Sequence, residues 1–276
     1  MDQDLKILAI DLDGTLLNKQ NQVTPENIEA IRQARARGIE VVPCTGRLLC
    51  ESRFAIEAIG GCRYSMHCNG SVVWDHRANR PVFLSAFAPA LAQDIIRRLE
   101  AANVLFQVYV DDADCCPTRF RDQFTSEIFN ATYARMFKDK QLWMDDVGAG
   151  IEKCGLKVLK FYIPNRDHDL LVRMKAEMTS LPGVDATYSS HYSLELFQAG
   201  MDKLNGLTKL LEHLGLGFEN LMMIGDSEND LRAIRAARVG VCMENGQDFV
   251  REAADYVTLD RNHSGVAHAI EKYLLK

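Results

Sequence analysis

The chain has 276 residues, long enough for one large domain or two smaller ones, and its 47% hydrophobic and 25% charged residues are the balance of a globular protein. With 32 basic against 38 acidic side chains the net charge is -6, which leaves no basic excess for a polyanionic backbone and excludes nucleic acid as the expected partner. The acidic start of the chain lacks the positive charge of a secretory signal, and the apolar run that follows is far shorter than the roughly 20 residues needed to span a bilayer, so a cytoplasmic protein with no membrane contact is expected.

Taken in order, residues 5–11 (LKILAID) read as a buried strand and residues 23–38 as a helix, with Thr24 as N-cap, Pro25 in the first position, Ile28 and Ile31 on the apolar face, and Gly38 after the end. IEVVPCTG (39–46) is a second strand and LLCESRFAIEAIG (48–60) a second helix. From about Ser85 to Ser190 the pattern changes to longer-spaced helices and strands, two strand-helix-strand units, with connections expected near PVFLSAF and TYSSHYSLEL. After this, residues 201–217 place Leu207, Leu210, Leu211 and Leu214 on one helical stripe. LMMIGD, SENDLRAIRAAR, VGVCM and GQDFVREAA then alternate strand and helix. Alternation at both ends predicts an α/β fold: a Rossmann-like parallel sheet core made of residues 1–84 and 191–276, with an α+β cap, residues 85–190, inserted between its halves. The eight cysteines form no C-x-x-C pair and read as reduced thiols.

Chemistry concentrates at the ends of the predicted strands. Asp11 falls at the carboxyl end of the first strand, where open parallel sheets bind ligands, and Asp13 is placed to share its side. Two carboxylates in one small volume need a cation or a proton between them, and an all-oxygen site suits Mg²⁺. A calcium loop does not fit, because Gly14 is already fourth and Gln22 stands twelfth. In CTGR the Thr45 hydroxyl and the backbone N–H groups around Gly46 suit phosphate oxygens, with Arg47 beside them. Lys203 opens the amphipathic helix and offers a fixed positive charge; Asp226 ends another strand, ahead of Glu228, Asn229 and Asp230. Alone, each has a bland reading as turn, cap or solvated surface.

In order and spacing, DLDGTL, TGR, Lys203 and GDSEND resemble the four motifs of the haloacid dehalogenase (HAD) superfamily, and the position of the inserted segment is similar to that of its Cof-type sugar phosphatases. The resemblance implies Asp11 as the nucleophile that becomes an aspartyl-phosphate and Asp13 as the general acid and base. It implies Thr45, Gly46, Lys203 and Asn229 as phosphate-binding, and a Mg²⁺ held by Asp11, Asp226 and the backbone carbonyl of Asp13. Asp230 and Arg47 are supporting residues on this reading. The expected activity is Mg²⁺-dependent hydrolysis of small phosphomonoesters, sugar phosphates first. A phosphotransferase or mutase using the same intermediate, or a non-catalytic phosphometabolite sensor, are the alternatives; monomer and homodimer are both open. Four departures from the family stand out: Cys44 before TGR, Leu204 with Gly206 after Lys203, MENG at 243–246, and Ser264 where an acid is common.

Overall fold

The strands of the first sheet are apolar along almost their whole length, as burial on both faces requires. In β1 (Ile7–Asp11), Leu8 and Ile10 enter one apolar cluster while Ile7 and Ala9 enter another, so the two-residue period sends alternate side chains to opposite faces. β2 (Glu40–Cys44) divides Val41 and Val42 in the same way, and a strand near the C-terminus, Leu221–Gly225, divides Met222 and Ile224 from Leu221 and Met223.

The computed structural model describes residues 4–111, 113–124 and 141–276. They form two compact units: residues up to Leu84 together with Asp202–Lys276, and Ser85–Met201. The first unit holds β1, β2, β3 (Tyr64–His67), β4 (Val72–Asp75) and β5 (Arg80–Leu84). The second holds β6 (Gln107–Val110), β7 (Ala113–Pro117), β8 (Gln141–Met144), β9 (Val158–Pro164), β10 (Val184–Ser190) and β11 (Ser193–Gln198). The first unit is completed by β12 (Leu221–Gly225), β13 (Val239–Cys242) and β14 (Tyr256–Val257).

The first sheet has the order β14-β13-β12-β1-β2-β3-β4-β5. It is parallel from β14 to β3 and antiparallel at the β3-β4-β5 edge. That edge has a simple cause: only residues 68–71 separate β3 from β4, too few for the crossover of a dozen or more residues that a parallel pair needs. The second sheet, β10-β11-β9-β6-β7-β8, is antiparallel except for the β7–β8 pair. Its apolar cluster includes Ile95, Ile151, Leu171 and Met174 from the helices Pro89–Ala101, Val147–Cys154 and His168–Thr179.

The sequence places the return to the first unit at residue 191. Instead Ser193–Gln198 pairs with both β10 and β9, so the second unit runs on to Met201 and TYSSHYSLEL is a hairpin inside its sheet rather than a connection. Asp112, in the expected strand LFQVYVDD, lies outside the described residues.

The helix Pro25–Ala36 is capped by Thr24 as expected, but its buried stripe is Asn27, Ala30, Ile31 and Ala34, with Ile28 only half-buried. Asn27 is inside because its Oδ1 accepts from Ala267 N (2.8 Å), supplying a partner to the free N-terminus of the helix Gly265–Tyr273.

The helix Lys203–Leu214 buries Lys203, Gly206, Leu207, Leu210 and Leu211 against the face of the sheet that carries Ile7 and Ala9. Gly206 lets this helix lie directly on the turn at Cys68–Gly70: a Cβ there would stand 2.6 Å from Gly70 Cα and 2.4 Å from Met66 sulfur. Gly70, at φ +98°, would in turn drive a Cβ to 2.1 Å from Asp202 O. This close packing accounts for the glycine three residues after Lys203. Gly206→Ala is expected to cost about 1–3 kcal/mol by overpacking, read as a lower urea midpoint at unchanged m-value.

Candidate active site

Asp11 ends β1 on the same face as Ile7 and Ala9, and Lys203 begins the stripe that covers that face. The period of the strand and the period of the helix therefore bring the two side chains together, and Lys203 Nζ lies 2.6 Å from Asp11 Oδ1. The same ammonium lies 2.6 Å from Asp230 Oδ1, and Lys203 and Asp230 are wholly buried. Burial works against the Lys203 charge, but the two carboxylates outweigh it and raise its pKa.

Asp230 occupies the third position of the helix Glu228–Ala236, where its Oδ2 accepts from the backbone N–H of Asp226 (3.0 Å) and Ser227 (3.2 Å). One carboxylate thus both caps a helix and holds the lysine. Asp226 accepts from the Thr15 hydroxyl (3.0 Å), and Gly14, at φ +85°, packs so close that a Cβ would stand 2.3 Å from Asp226 Oδ2. Any side chain at position 14 would enter the carboxylate, which is why a glycine follows the two aspartates.

Asp11, Asp226 and Asp230 each offer a carboxylate oxygen within 4.8 Å of the others. Three carboxylates against one ammonium leave an excess of two negative charges, and the donors are all oxygen, a set that fits a hard divalent cation such as Mg²⁺. Without a cation the excess shows in the acidities. Burial raises Asp11 well above the ordinary carboxylate range, with Lys203 opposing and Asp230, Asp226 and Asp13 adding to the rise. Burial and then Asp230 push Asp226 up to about 6.

Asp13 departs from expectation. Its carboxylate does not join this cluster: the chain has turned by residue 13, and the half-exposed side chain forms a two-point ion pair with Arg47, Nε to Oδ2 at 2.8 Å and Nη2 to Oδ1 at 2.5 Å. Thr45 is buried at the end of β2, and its hydroxyl accepts from Arg47 N (3.1 Å). Gly46 abuts the Asn69 amide, where a Cβ would meet Oδ1 at 3.0 Å. Asn69, held in the left-handed region at φ 52°, accepts from Asn229 Nδ2 (3.1 Å), linking the loop after β3 to the first turn of the helix Glu228–Ala236. The structure therefore gathers Asp11, Lys203, Asp226 and Asp230 tightly and ties Thr45, Gly46, Arg47 and Asp13 into an adjoining loop network.

The chain matches the haloacid dehalogenase-like hydrolase family over residues 8–270. The chain belongs to that family. It is 31% identical over 274 residues to the 5-amino-6-(5-phospho-D-ribitylamino)uracil phosphatase of Bacillus subtilis, covering 99% of this chain and 98% of that one. It is 26% identical over 273 residues to the pyridoxal phosphate phosphatase of Escherichia coli, covering 98% and 99% of the two chains. Among solved structures, a haloacid dehalogenase-like hydrolase from B. subtilis superposes with a TM-score of 0.85 at 26% identity, covering 98% of this chain and 100% of that one. These relationships place the chain among the Cof-type phosphatases of the HAD superfamily.

Four further residues of this HAD site carry weight that their letters do not announce. Thr15 and Asn69 hold Asp226 and Asn229 as described. Asn245, in the MENG stretch, donates from Nδ2 to Gly14 O (2.8 Å) and accepts from Arg261 N (2.9 Å), bracing the turn that follows Asp11 and Asp13. His67, buried at the end of β3, bonds through Nε2 to Ser65 Oγ (2.7 Å) and through Nδ1 to Ser52 Oγ (3.3 Å). Ser52 Oγ also donates to Leu48 O (3.0 Å), and burial pushes the His67 pKa down to about 3, which keeps the ring neutral. This chain of bonds pins the helix Leu49–Ala58 beside Thr45–Arg47. Among the departures, Cys44 is a buried thiol bonded to Val42 O, and Ser264, at the N-cap position of the helix Gly265–Tyr273, turns its hydroxyl to Thr24 and Glu26.

A divalent cation held by Asp226 would compete with protons for the same carboxylate. Mg²⁺ affinity measured by calorimetry is therefore expected to weaken as pH falls through about 6, where Asp226 takes up its proton. Asp226→Asn is expected to remove most of the affinity and to leave only the pH dependence that Asp11 contributes.

Proposed function

We propose that the chain is a cytoplasmic, Mg²⁺-dependent phosphomonoester hydrolase of small metabolites, sugar phosphates first, acting through an aspartyl-phosphate on Asp11 with Asp13 as general acid and base. The observation that carries this reading is the pairing of a buried Asp11 with a buried Lys203 at the carboxyl end of β1, next to Asp226. Named relatives that act on a phosphoribitylamino-uracil, on pyridoxal phosphate and on phosphoglycolate support a small phosphorylated metabolite as substrate. All eight cysteines are free thiols, in keeping with a reducing compartment, and no helix among the described residues is long and apolar enough to cross a membrane.

Lys203 occupies Asp11 Oδ1, which leaves Oδ2 to attack phosphorus. As the Asp11 O–P bond forms, the ester P–O bond breaks and the leaving alkoxide takes the proton of Asp13, which enters this step as the protonated acid. The bidentate Arg47 contact keeps the Asp13 carboxyl aimed and must yield one oxygen for that transfer. Asp13, now a carboxylate, then accepts a proton from the water that attacks the aspartyl-phosphate, releasing inorganic phosphate and restoring Asp11. Thr45 and Lys203 hold the phosphoryl oxygens, with Gly46 and Asn229 beside them. Asp11 and Asp226, with the backbone carbonyl of Asp13, would hold Mg²⁺, which supplies charge neutralisation of the phosphoryl group. Both oxygens of Asp230 are engaged by Lys203 and backbone N–H groups, so its part is support. On this reading residues 85–201 form the cap that selects the substrate.

Asp11→Asn is expected to cut phosphate release from p-nitrophenyl phosphate by a factor on the order of 10³ or more, with an unchanged circular dichroism spectrum. Retained turnover would refute the nucleophile assignment. Chelation with EDTA is expected to abolish wild-type turnover and added Mg²⁺ to restore it. Product analysis showing phosphosugar isomer instead of free phosphate would turn the reading to a mutase.

A further inference from the structure

The cations around the site are nearly all committed. Lys203 is held by Asp11 and Asp230, Arg47 by Asp13, Arg232 by Asp202, and Arg251 by Asp248 and Glu244 O. Arg261 differs. Its side chain is half-buried, and among the described residues its guanidinium has no carboxylate at ion-pair distance and no hydrogen bond, although its charge acts on Asp226.

Its backbone is placed with care. Arg261 N donates to Asn245 Oδ1 (2.9 Å), whose Nδ2 donates to Gly14 O (2.8 Å), and Gly14 lies against the Asp226 carboxylate. The loop around it is tied down on both sides. Asp260 Oδ1 accepts from Asn262 N (2.6 Å) and His263 N (3.1 Å), Asn262 Oδ1 accepts from Lys19 N (3.2 Å), and Thr258 Oγ1 donates to Gly265 O (2.7 Å). Among the described residues the guanidinium of Arg261 has no hydrogen-bond or ion-pair partner, although the loop that carries it is tightly held.

Charge and topology indicate the use. Three carboxylates, one ammonium and a divalent cation sum to zero before any substrate is bound, so the negative charge of a phosphoryl group, and still more that of a second anion on the same substrate, calls for a further cation. Thr45 reaches the site from β2, on one side of Asp11; Arg261 follows β14 and approaches from the opposite side, past β12 and β13. Arg261 therefore lies apart from the loop of Thr45, Gly46 and Arg47.

We propose, resting on the phosphatase reading, that Arg261 is a specificity-determining residue that pairs with a second anionic group on the substrate, a carboxylate or a second phosphate carried by the leaving alcohol. The test compares glucose 6-phosphate with 6-phosphogluconate and with glucose 1,6-bisphosphate. In the wild type kcat/KM is expected to favour at least one anion-bearing ester by about tenfold or more, the size of one charge-assisted contact. Arg261→Gln is expected to reduce that ratio about tenfold, chiefly through KM, and Arg261→Lys to keep part of it. Response to 6-phosphogluconate alone identifies a carboxylate, and response to the bisphosphate alone a second phosphate.

A wild type that prefers glucose 6-phosphate or turns over neither anion-bearing ester overturns the assignment, as does a ratio unchanged in Arg261→Gln because all esters fall together. Wild-type turnover of p-nitrophenyl phosphate separates the two failures. If it persists, only the Arg261 assignment falls; if no monoester is hydrolysed, the phosphatase reading falls and takes this assignment with it.

Discussion

A buried ammonium between two buried carboxylates is the constraint on which the first unit depends. Lys203 Nζ joins Asp11, at the end of β1, to Asp230, in the helix Glu228–Ala236, and itself begins the helix Lys203–Leu214. Lys203 and Asp230 are wholly buried and Asp11 nearly so, so each charge is tolerable only while the other two are in place. Removing one member of such a group typically costs about 3–5 kcal/mol, because it strands the rest. The same contact sets the chemistry: it fixes one oxygen of Asp11 and presents a positive charge where a phosphoryl group would gather negative charge.

Asp11 and Asp13, two residues apart, are given opposite surroundings. Asp11 lies at the strand end under a helix and is sealed from solvent, whereas Asp13 is past the end of the strand, half-exposed and paired with Arg47. Neighbouring carboxylates with separate environments can take separate roles, one as a fixed nucleophile and the other as a group that exchanges protons. Gly14 marks the division. Its positive φ turns the chain away from the strand, and its missing side chain leaves room for Asp226.

The second unit divides the two sides of its sheet in another way. Val108, Phe161, Leu194 and Leu196 share the apolar cluster of its helices. On the alternate positions, Lys160 pairs with Glu195 (3.2 Å) and lies over the Tyr109 ring, and Gln107 bonds to a buried Asp114 whose pKa burial pushes up to about 6. A sheet with helices on one side and a buried polar array on the other is built differently from the doubly covered first sheet. Its strands accordingly alternate in polarity where β1, β12 and β13 of the first sheet are apolar almost throughout.

By itself the sequence determined the α/β class, the run of strands and helices, and the identity of Asp11, Lys203, Asp226 and Asp230, because each of these is a local pattern: an apolar strand ending in an acid, or a helical stripe opening on a lysine. The resemblance of the motifs to a known family supplied their roles. Only the tertiary structure decided that Asp13 turns to Arg47 instead of joining the carboxylates, that β11 belongs to the second sheet, and that Gly206 is needed for a helix to rest on a turn. The same holds for Asn69, Asn245, His67 and Arg261, which are unremarkable letters in sequence. Each depends on contacts between segments distant along the chain, and local periodicity carries no information about which distant group a side chain will meet.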